Sequence, residues 1–273
     1  MSHSPSQSLT TNTSVTPHQQ APNSLLPKTY PQFILFGDSI TQGASHILQS
    51  SLAAWYSRRL DVINRGFSGY TAPAGYSTLE QFFPLIPPTP ITPPPRVQLM
   101  TVFFGANDAC VAGSPQHVPL ETYKAALRNI VAYPGLKLHA TQPILVVPPP
   151  VDEYQLVGPD RNAATTAVYA AACRDVAAEL NVPVLDLWTV FMTKAGWTPD
   201  DAAQGRPLVG SRDAPRSEVL DGLLSDGLHF TPDGYQLVFE QLVALLVAEL
   251  PHLTPENLPM VFPDWKFVLG VDV

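Results

Sequence analysis

Cysteine is scarce. Cys110 and Cys173 stand far apart in 273 residues, in no spacing that suits a metal. That leaves room for at most one disulfide, and it suits a reducing compartment, so a cytoplasmic protein with buried thiols is expected. Basic residues are scarce too. Fifteen Lys and Arg face twenty-three Asp and Glu, the net charge is −8, and Lys or Arg never form a run. Nucleic acid is therefore not an expected partner, nor is an anionic membrane surface. Long apolar runs are missing: the longest nearly apolar stretch, residues 242–250, is too short to cross a bilayer, so no membrane insertion is expected. The first 28 residues lack the apolar core of a secretory signal and the arginines of a mitochondrial presequence. Several catalytic signatures are absent as well. There is no G-x-S-x-G elbow, no G-x-G-x-x-G after a strand, no G-x-x-x-x-G-K-[ST] and no H-E-x-x-H.

What is present is ample material for a core, with 45% hydrophobic residues. Residues 1–28 are rich in Ser, Thr, Pro, Gln and Asn and read as a disordered tail. Residues 29–250 read as a single domain, and residues 251–273 as a C-terminal tail that packs on it or on a partner subunit; a homodimer is compatible with this. Apolar runs at 33–36, 61–65, 97–104, 143–147 and 182–187 are bounded by turn signals, and the run at 97–104 is the mark of a strand buried on both faces. Helical periodicity fills the intervals at 48–60, 72–83, 120–133, 161–180, 188–195 and 232–250. Residues 84–95 hold too many prolines for anything but an extended connector. Residues 198–217 read as a long loop. Strands alternating with helices imply right-handed crossovers and a five-stranded parallel sheet covered on both faces.

Such a sheet collects its ligands at the carboxyl ends of its strands. The first strand ends in Gly37-Asp38-Ser39, the second at Gly66, the third at Gly105-Ala106-Asn107-Asp108, and the last block is Asp226-Gly227-Leu228-His229. Acyl transfer needs a nucleophile, a base, a group that orients the base and donors for the oxyanion. Ser39 is the candidate nucleophile, lying near a helix N-terminus that stabilises negative charge. His229 is the candidate base and Asp226, three residues earlier, its orienting partner. The backbone N–H groups of Ser39 and Gly66 and the side-chain amide of Asn107 are the candidate oxyanion hole. Each residue has an ordinary alternative. Ser39 caps a helix, Asp226 and His229 form a capping turn, Gly66 turns the chain, and Asn107 and Asp108 cap a helix, with Asp108 structural. Four complementary roles on one edge favour the catalytic set. Asp38 lacks a second ligand at metal spacing, so no metal or cofactor is expected.

These four blocks, in this order and spacing, resemble those of the SGNH (GDSL-type) hydrolase family. Arg65-Gly66-Phe67-Ser68-Gly69-Tyr70-Thr71, Phe104 to Cys110, Asp226 to Phe230 and Asp264-Trp265 are similar to its fungal isoamyl acetate-hydrolysing esterase branch. The likeness spans residues 31–268 and implies a flavodoxin-like three-layer α/β/α sandwich. It implies a serine esterase acting through an acyl-enzyme on short-chain esters such as acetates, with a small-molecule ester as partner. Deacetylation of a sugar or secondary metabolite, or lysophospholipid hydrolysis, is the alternative. Phe67, Tyr70, Val111 and Trp265 are the candidate pocket walls.

Overall fold

The structure, a computed structural model, describes residue 1, residues 28–84 and residues 94–271. The expected disordered tail and the expected proline-rich connector lie almost wholly outside the described residues. Among the described residues five strands form one sheet: β1 Gln32–Gly37, β2 Asp61–Gly66, β3 Val97–Phe103, β4 Gln142–Val147 and β5 Val184–Asp186. Their order is β2-β1-β3-β4-β5 and every neighbouring pair is parallel. This is the flavodoxin-like order, which reverses direction between β1 and β3 and opens a crevice there.

The helices, in chain order, are α1 Ser39–Gly43, α2 Leu48–Trp55, α3 Ala72–Phe82, α4 Leu120–Val131, α5 Pro134–His139, α6 Ala163–Leu180, α7 Leu187–Lys194, α8 Pro199–Ala203, α9 Glu218–Leu223, α10 Pro232–Glu249 and α11 Trp265–Leu269. Why the sheet is covered on both faces follows from β1. Its residues Phe33, Ile34, Leu35 and Phe36 are all buried, and strand alternation sends Phe33 and Leu35 to one core, Ile34 and Phe36 to the other. The first core holds Leu52 of α2, Leu220 of α9 and Leu242 of α10; the second holds Leu79 of α3, Leu127 of α4 and Val176 of α6. β3 repeats the division, with Leu99 and Phe103 in the first core and Met100 and Val102 in the second.

Several boundaries differ from the sequence expectation, each for a capping reason. The expected strand over 182–187 shrinks to β5 because the Asp186 carboxylate accepts from the backbone N–H of Thr189 (3.0 Å) and starts α7. The expected helix over 161–180 begins at Ala163 because the Asn162 side chain accepts from the Thr165 N–H (2.7 Å). That leaves Arg161 in the preceding loop. The expected loop over 198–217 carries one short helix, α8, whose Asp201 carboxylate accepts from the Thr198 N–H (2.7 Å). None of the described helices is long and apolar enough to cross a membrane.

The C-terminal segment runs along the amino edge of the sheet. Tyr56 donates its hydroxyl hydrogen to the Leu253 carbonyl (2.9 Å), and Val261 donates to the Arg58 carbonyl (3.1 Å). Tyr30 meets Phe262 edge to face. Tyr30, Tyr56 and Arg58 all precede β1 or β2, so this segment lies opposite the carboxyl edge.

Candidate active site

Ser39 follows β1 as the first residue of α1. Asp38 caps that helix, accepting from the Ile40 N–H (2.9 Å), so the Ser39 N–H belongs to a first turn with no intrahelical partner. His229 comes from the opposite end of the chain. Its loop is a tight hairpin closed by the Leu224–Phe230 bridge and by the Ser225 N–H to His229 carbonyl bond (2.8 Å). Gly227 makes this turn with φ at +83°, and an added Cβ would stand 2.4 Å from the Asp152 carbonyl oxygen. The Gly227 carbonyl accepts from the Asp152 N–H (2.9 Å), tying the hairpin to the segment after β4.

Three side chains then form a chain of hydrogen bonds. Ser39 Oγ lies 2.8 Å from His229 Nε2, and His229 Nδ1 lies 2.7 Å from Asp226 Oδ2. The other Asp226 oxygen, Oδ1, accepts from the backbone N–H groups of Leu228 (3.0 Å) and His229 (2.8 Å). Partial burial pushes the Asp226 carboxyl up, but the His229 ring N–H and these two backbone donors outweigh it and hold the group below the usual carboxylate range. With Asp226 ionised, the ring proton stays on Nδ1 and the Nε2 lone pair faces the serine hydroxyl.

Asn107 is buried at the end of the β3 loop. Its Nδ2 donates one hydrogen to the Tyr70 carbonyl (2.8 Å), and its Oδ1 accepts from Arg161 Nη2 (3.0 Å), so the amide can take only one orientation. Among the described residues the second Nδ2 hydrogen has no partner. The neighbouring Asp108 is structural: both its oxygens accept from the Ala72 N–H at the start of α3 (2.9 and 3.2 Å). Burial pushes the Asp108 carboxyl up to about 7, and burial, reinforced by the nearby Asp108 charge, pushes Asp38 up to about 7 as well.

Two expectations need correction. Gly66 does not reach the site. It is the last residue of β2, paired with Gly37, and its N–H is taken by the Asn64 side-chain oxygen (2.8 Å). What requires glycine there is crowding: a Cβ would stand 2.0 Å from the Gln42 nitrogen and 2.6 Å from the Thr41 carbonyl carbon. The glycine that lines the cleft with Ser39 is Gly69, three residues on, and no hydrogen bond among the described residues engages its N–H. The four candidate walls also lie outside the cleft. Phe67 stacks on Tyr70 (5.1 Å between ring centres) and packs against Phe36 and Phe82 over the core. Val111 uses its N–H to hold the Asp160 carbonyl (2.8 Å). Trp265 is exposed on α11, beyond the amino edge and therefore opposite Ser39 in this chain. The cleft of about 340 Å³ is instead lined by Ser39, Ser68, Gly69, Asn107, Gln116, Leu156, Val157, Asp160, Arg161, Asp226, Leu228 and His229. Arg161 and Gln116 were not legible as site residues. The signal for Arg161 was its place in the loop after β4, the one carboxyl-edge loop from which no residue was drawn.

A parallel α/β/α sandwich with a Ser–His–Asp hydrogen-bond chain on its carboxyl edge is the arrangement of a serine hydrolase. The model of the GDSL-like lipase/acylhydrolase family matches residues 35–237. A GDSL esterase/lipase of Arabidopsis thaliana is 32% identical, over 88% of this chain and 94% of that protein. The isoamyl acetate-hydrolyzing esterase of Saccharomyces cerevisiae is 30% identical, over 88% of this chain and 96% of that protein. A lipase/acylhydrolase from Enterococcus faecalis shares the fold with a TM-score of 0.55 at 22% identity, over 84% of this chain and 98% of its own. The chain belongs to the GDSL-like lipase/acylhydrolase family and is a carboxylic ester hydrolase.

Proposed function

We propose that the protein is a serine esterase that hydrolyses short-chain carboxylic esters, acetates foremost, through an acyl-enzyme on Ser39. The observation that carries this reading is the pair of short contacts Ser39–His229 (2.8 Å) and His229–Asp226 (2.7 Å) in one cleft. Ser39 Oγ attacks the ester carbonyl carbon and passes its proton to His229 Nε2. The carbon–alkoxide bond then breaks and His229 returns that proton to the departing alcohol. Water repeats the sequence on the acyl-serine and releases the acid. Asp226 fixes the ring tautomer and stabilises the imidazolium. The oxyanion is met by the N–H of Ser39, the N–H of Gly69 in place of Gly66, and the spare Nδ2 hydrogen of Asn107.

Two observations support a small acyl group. The cleft walls are mostly polar, with only Leu156, Val157 and Leu228 apolar, whereas a long acyl chain needs an apolar groove. The yeast relative is named for hydrolysing isoamyl acetate. Both cysteines are free and buried, which supports a cytoplasmic setting. Trp265, Val268 and Leu269 are exposed together on one face of α11, which supports a homodimer through that face and is checked by light scattering. The decisive test combines Ser39→Ala with a p-nitrophenyl ester series. Loss of turnover by about 10⁶ is expected, following other serine triads, with kcat/KM falling from acetate to decanoate. A Ser39→Ala variant within tenfold of wild type refutes the nucleophile. A rise toward decanoate refutes the short-chain preference.

A further inference from the structure

One arginine nitrogen binds two amides, and the two amides bind two successive backbone carbonyls. Arg161 Nη2 donates to Asn107 Oδ1 (3.0 Å) and to Gln116 Oε1 (3.1 Å). Asn107 Nδ2 donates to the Tyr70 carbonyl (2.8 Å), and Gln116 Nε2 donates to the Gly69 carbonyl (2.8 Å). The guanidinium is itself fixed. Its Nη1 donates to Asp160 Oδ2 (2.6 Å) and its Nε to the Ala106 carbonyl (3.3 Å), and the side chain is only 11% exposed. The Asp160 carbonyl is held by the Val111 N–H (2.8 Å). The loops after β2, β3 and β4 are thus locked to one another through Arg161.

We propose that Arg161, with Gln116, is a positioning residue that presets both oxyanion donors not belonging to the nucleophile; this rests on the serine-esterase reading above. The chemistry follows from hydrogen-bond direction. An amide whose oxygen accepts from a cation becomes a stronger N–H donor, because electron density is drawn toward the oxygen. A guanidinium bound to Asn107 Oδ1 forbids the flipped amide, which would turn oxygen toward the oxyanion. The Gln116 arm anchors the Gly69 carbonyl and so restrains the turn that carries the Gly69 N–H at the cleft. A lysine in place of Arg161 has one ammonium at one point and cannot serve both amides, Asp160 and Ala106 together.

The test measures kcat and KM on p-nitrophenyl acetate for Arg161→Lys, Gln116→Leu and the double variant, with Ser39→Ala as the reference. Misaimed donors cost transition-state binding and leave ground-state binding alone. Arg161→Lys is expected to lower kcat about 10- to 100-fold at nearly constant KM, and Gln116→Leu by a smaller factor. The double variant is expected to resemble Arg161→Lys alone, because Gln116 acts through the same nitrogen. Affinity for phenylboronic acid, which forms a tetrahedral adduct on the serine, should fall in step with kcat. Both kcat values within about twofold of wild type, or losses confined to KM, overturn the proposal. If Arg161→Lys fails to fold, Gln116→Leu alone decides it by the same criteria. If Ser39→Ala remains active, the serine-esterase reading fails instead; if Ser39→Ala is inactive while both variants keep wild-type kcat, only the positioning role fails.

Discussion

The sharpest consequence of the site geometry concerns Asp226→Asn. The carboxylate uses its two oxygens for different purposes: Oδ1 accepts from the backbone N–H groups of Leu228 and His229, while Oδ2 accepts from the His229 ring at 2.7 Å. Asparagine has one acceptor and must choose. If its NH₂ faced the backbone, three donors would crowd together and two backbone hydrogen bonds would be lost. The favoured orientation therefore gives the oxygen to the backbone and turns the NH₂ toward His229 Nδ1. The ring then accepts at Nδ1 and carries its proton on Nε2, facing Ser39 Oγ across 2.8 Å. A ring in that tautomer cannot take the serine proton. The equivalent amide in a serine protease triad lowers kcat by about 10⁴, which corresponds to roughly 5 kcal/mol of barrier.

The assay is p-nitrophenyl acetate hydrolysis at pH 7.5, with kcat normalised to sites that react with a fluorophosphonate. KM should stay near wild type, since Asp226 orients the base and its carboxylate is committed within the turn. A second readout is the His229 ring N–H resonance far downfield in proton NMR, present in wild type and lost in the variant. A kcat within tenfold of wild type would refute the tautomer argument.

Asp38 and Asp108 set a pH dependence of stability. Burial keeps both protonated up to about pH 7, against about 3.9 for aspartate in an unfolded chain. Between those values the folded protein binds protons that the unfolded chain has released, so these groups make stability fall as pH rises from about 4 to about 7. Asp38→Asn imitates the protonated acid: it should match wild type at pH 4 and exceed it at pH 8 by up to roughly 4 kcal/mol, from about three pK units at 1.36 kcal/mol each. Urea unfolding at the two pH values checks this, and an equal difference at both refutes it. Gly66→Ala should destabilise by about 3 kcal/mol, because the new methyl overlaps the backbone of residues 41 and 42 and forces β2 and α1 apart. For a chain of this size that is a drop in Tm of roughly 5 °C, and a drop under 2 °C would contradict the close approach.

The sheet and most of its helices were legible because their signals are local. A run such as Phe33-Ile34-Leu35-Phe36 has no polar side to offer water, so it goes to the middle of a sandwich. Ser39, Asn107, Asp226 and His229 were legible for a different reason: each is a polar residue placed where a strand or hairpin ends on the carboxyl edge. Trp265 misled because being apolar and late in the chain gives no position; the backbone bonds to Arg58 carry it to the other edge.

The contrast between Gly66 and Gly69 shows where a motif stops informing. Both glycines belong to one short block, and both have a physical need to be glycine. At Gly66 the need is a neighbouring backbone 2.0 Å from where a Cβ would stand; at Gly69 it is a φ of +79°, while a Cβ there would meet only the Gln116 side chain, at 3.5 Å. Crowding therefore holds Gly66 in the packing of β2 against α1, and backbone conformation fixes Gly69 beside the nucleophile. The distinction is invisible to residue type but follows from register: Gly66 pairs with Gly37 and still belongs to the ladder, so the loop that can face a substrate starts only after it. The same logic recovers Arg161. Once Asn162 is recognised as the cap of α6, the residue before it must lie in the loop over β4, on the edge that already carries Ser39 and Asn107. Strand register and helix caps, followed to the residue, thus put Gly69 and Arg161 on the same edge as Ser39 and Asn107, Gly69 beside the nucleophile and Arg161 behind the Asn107 amide.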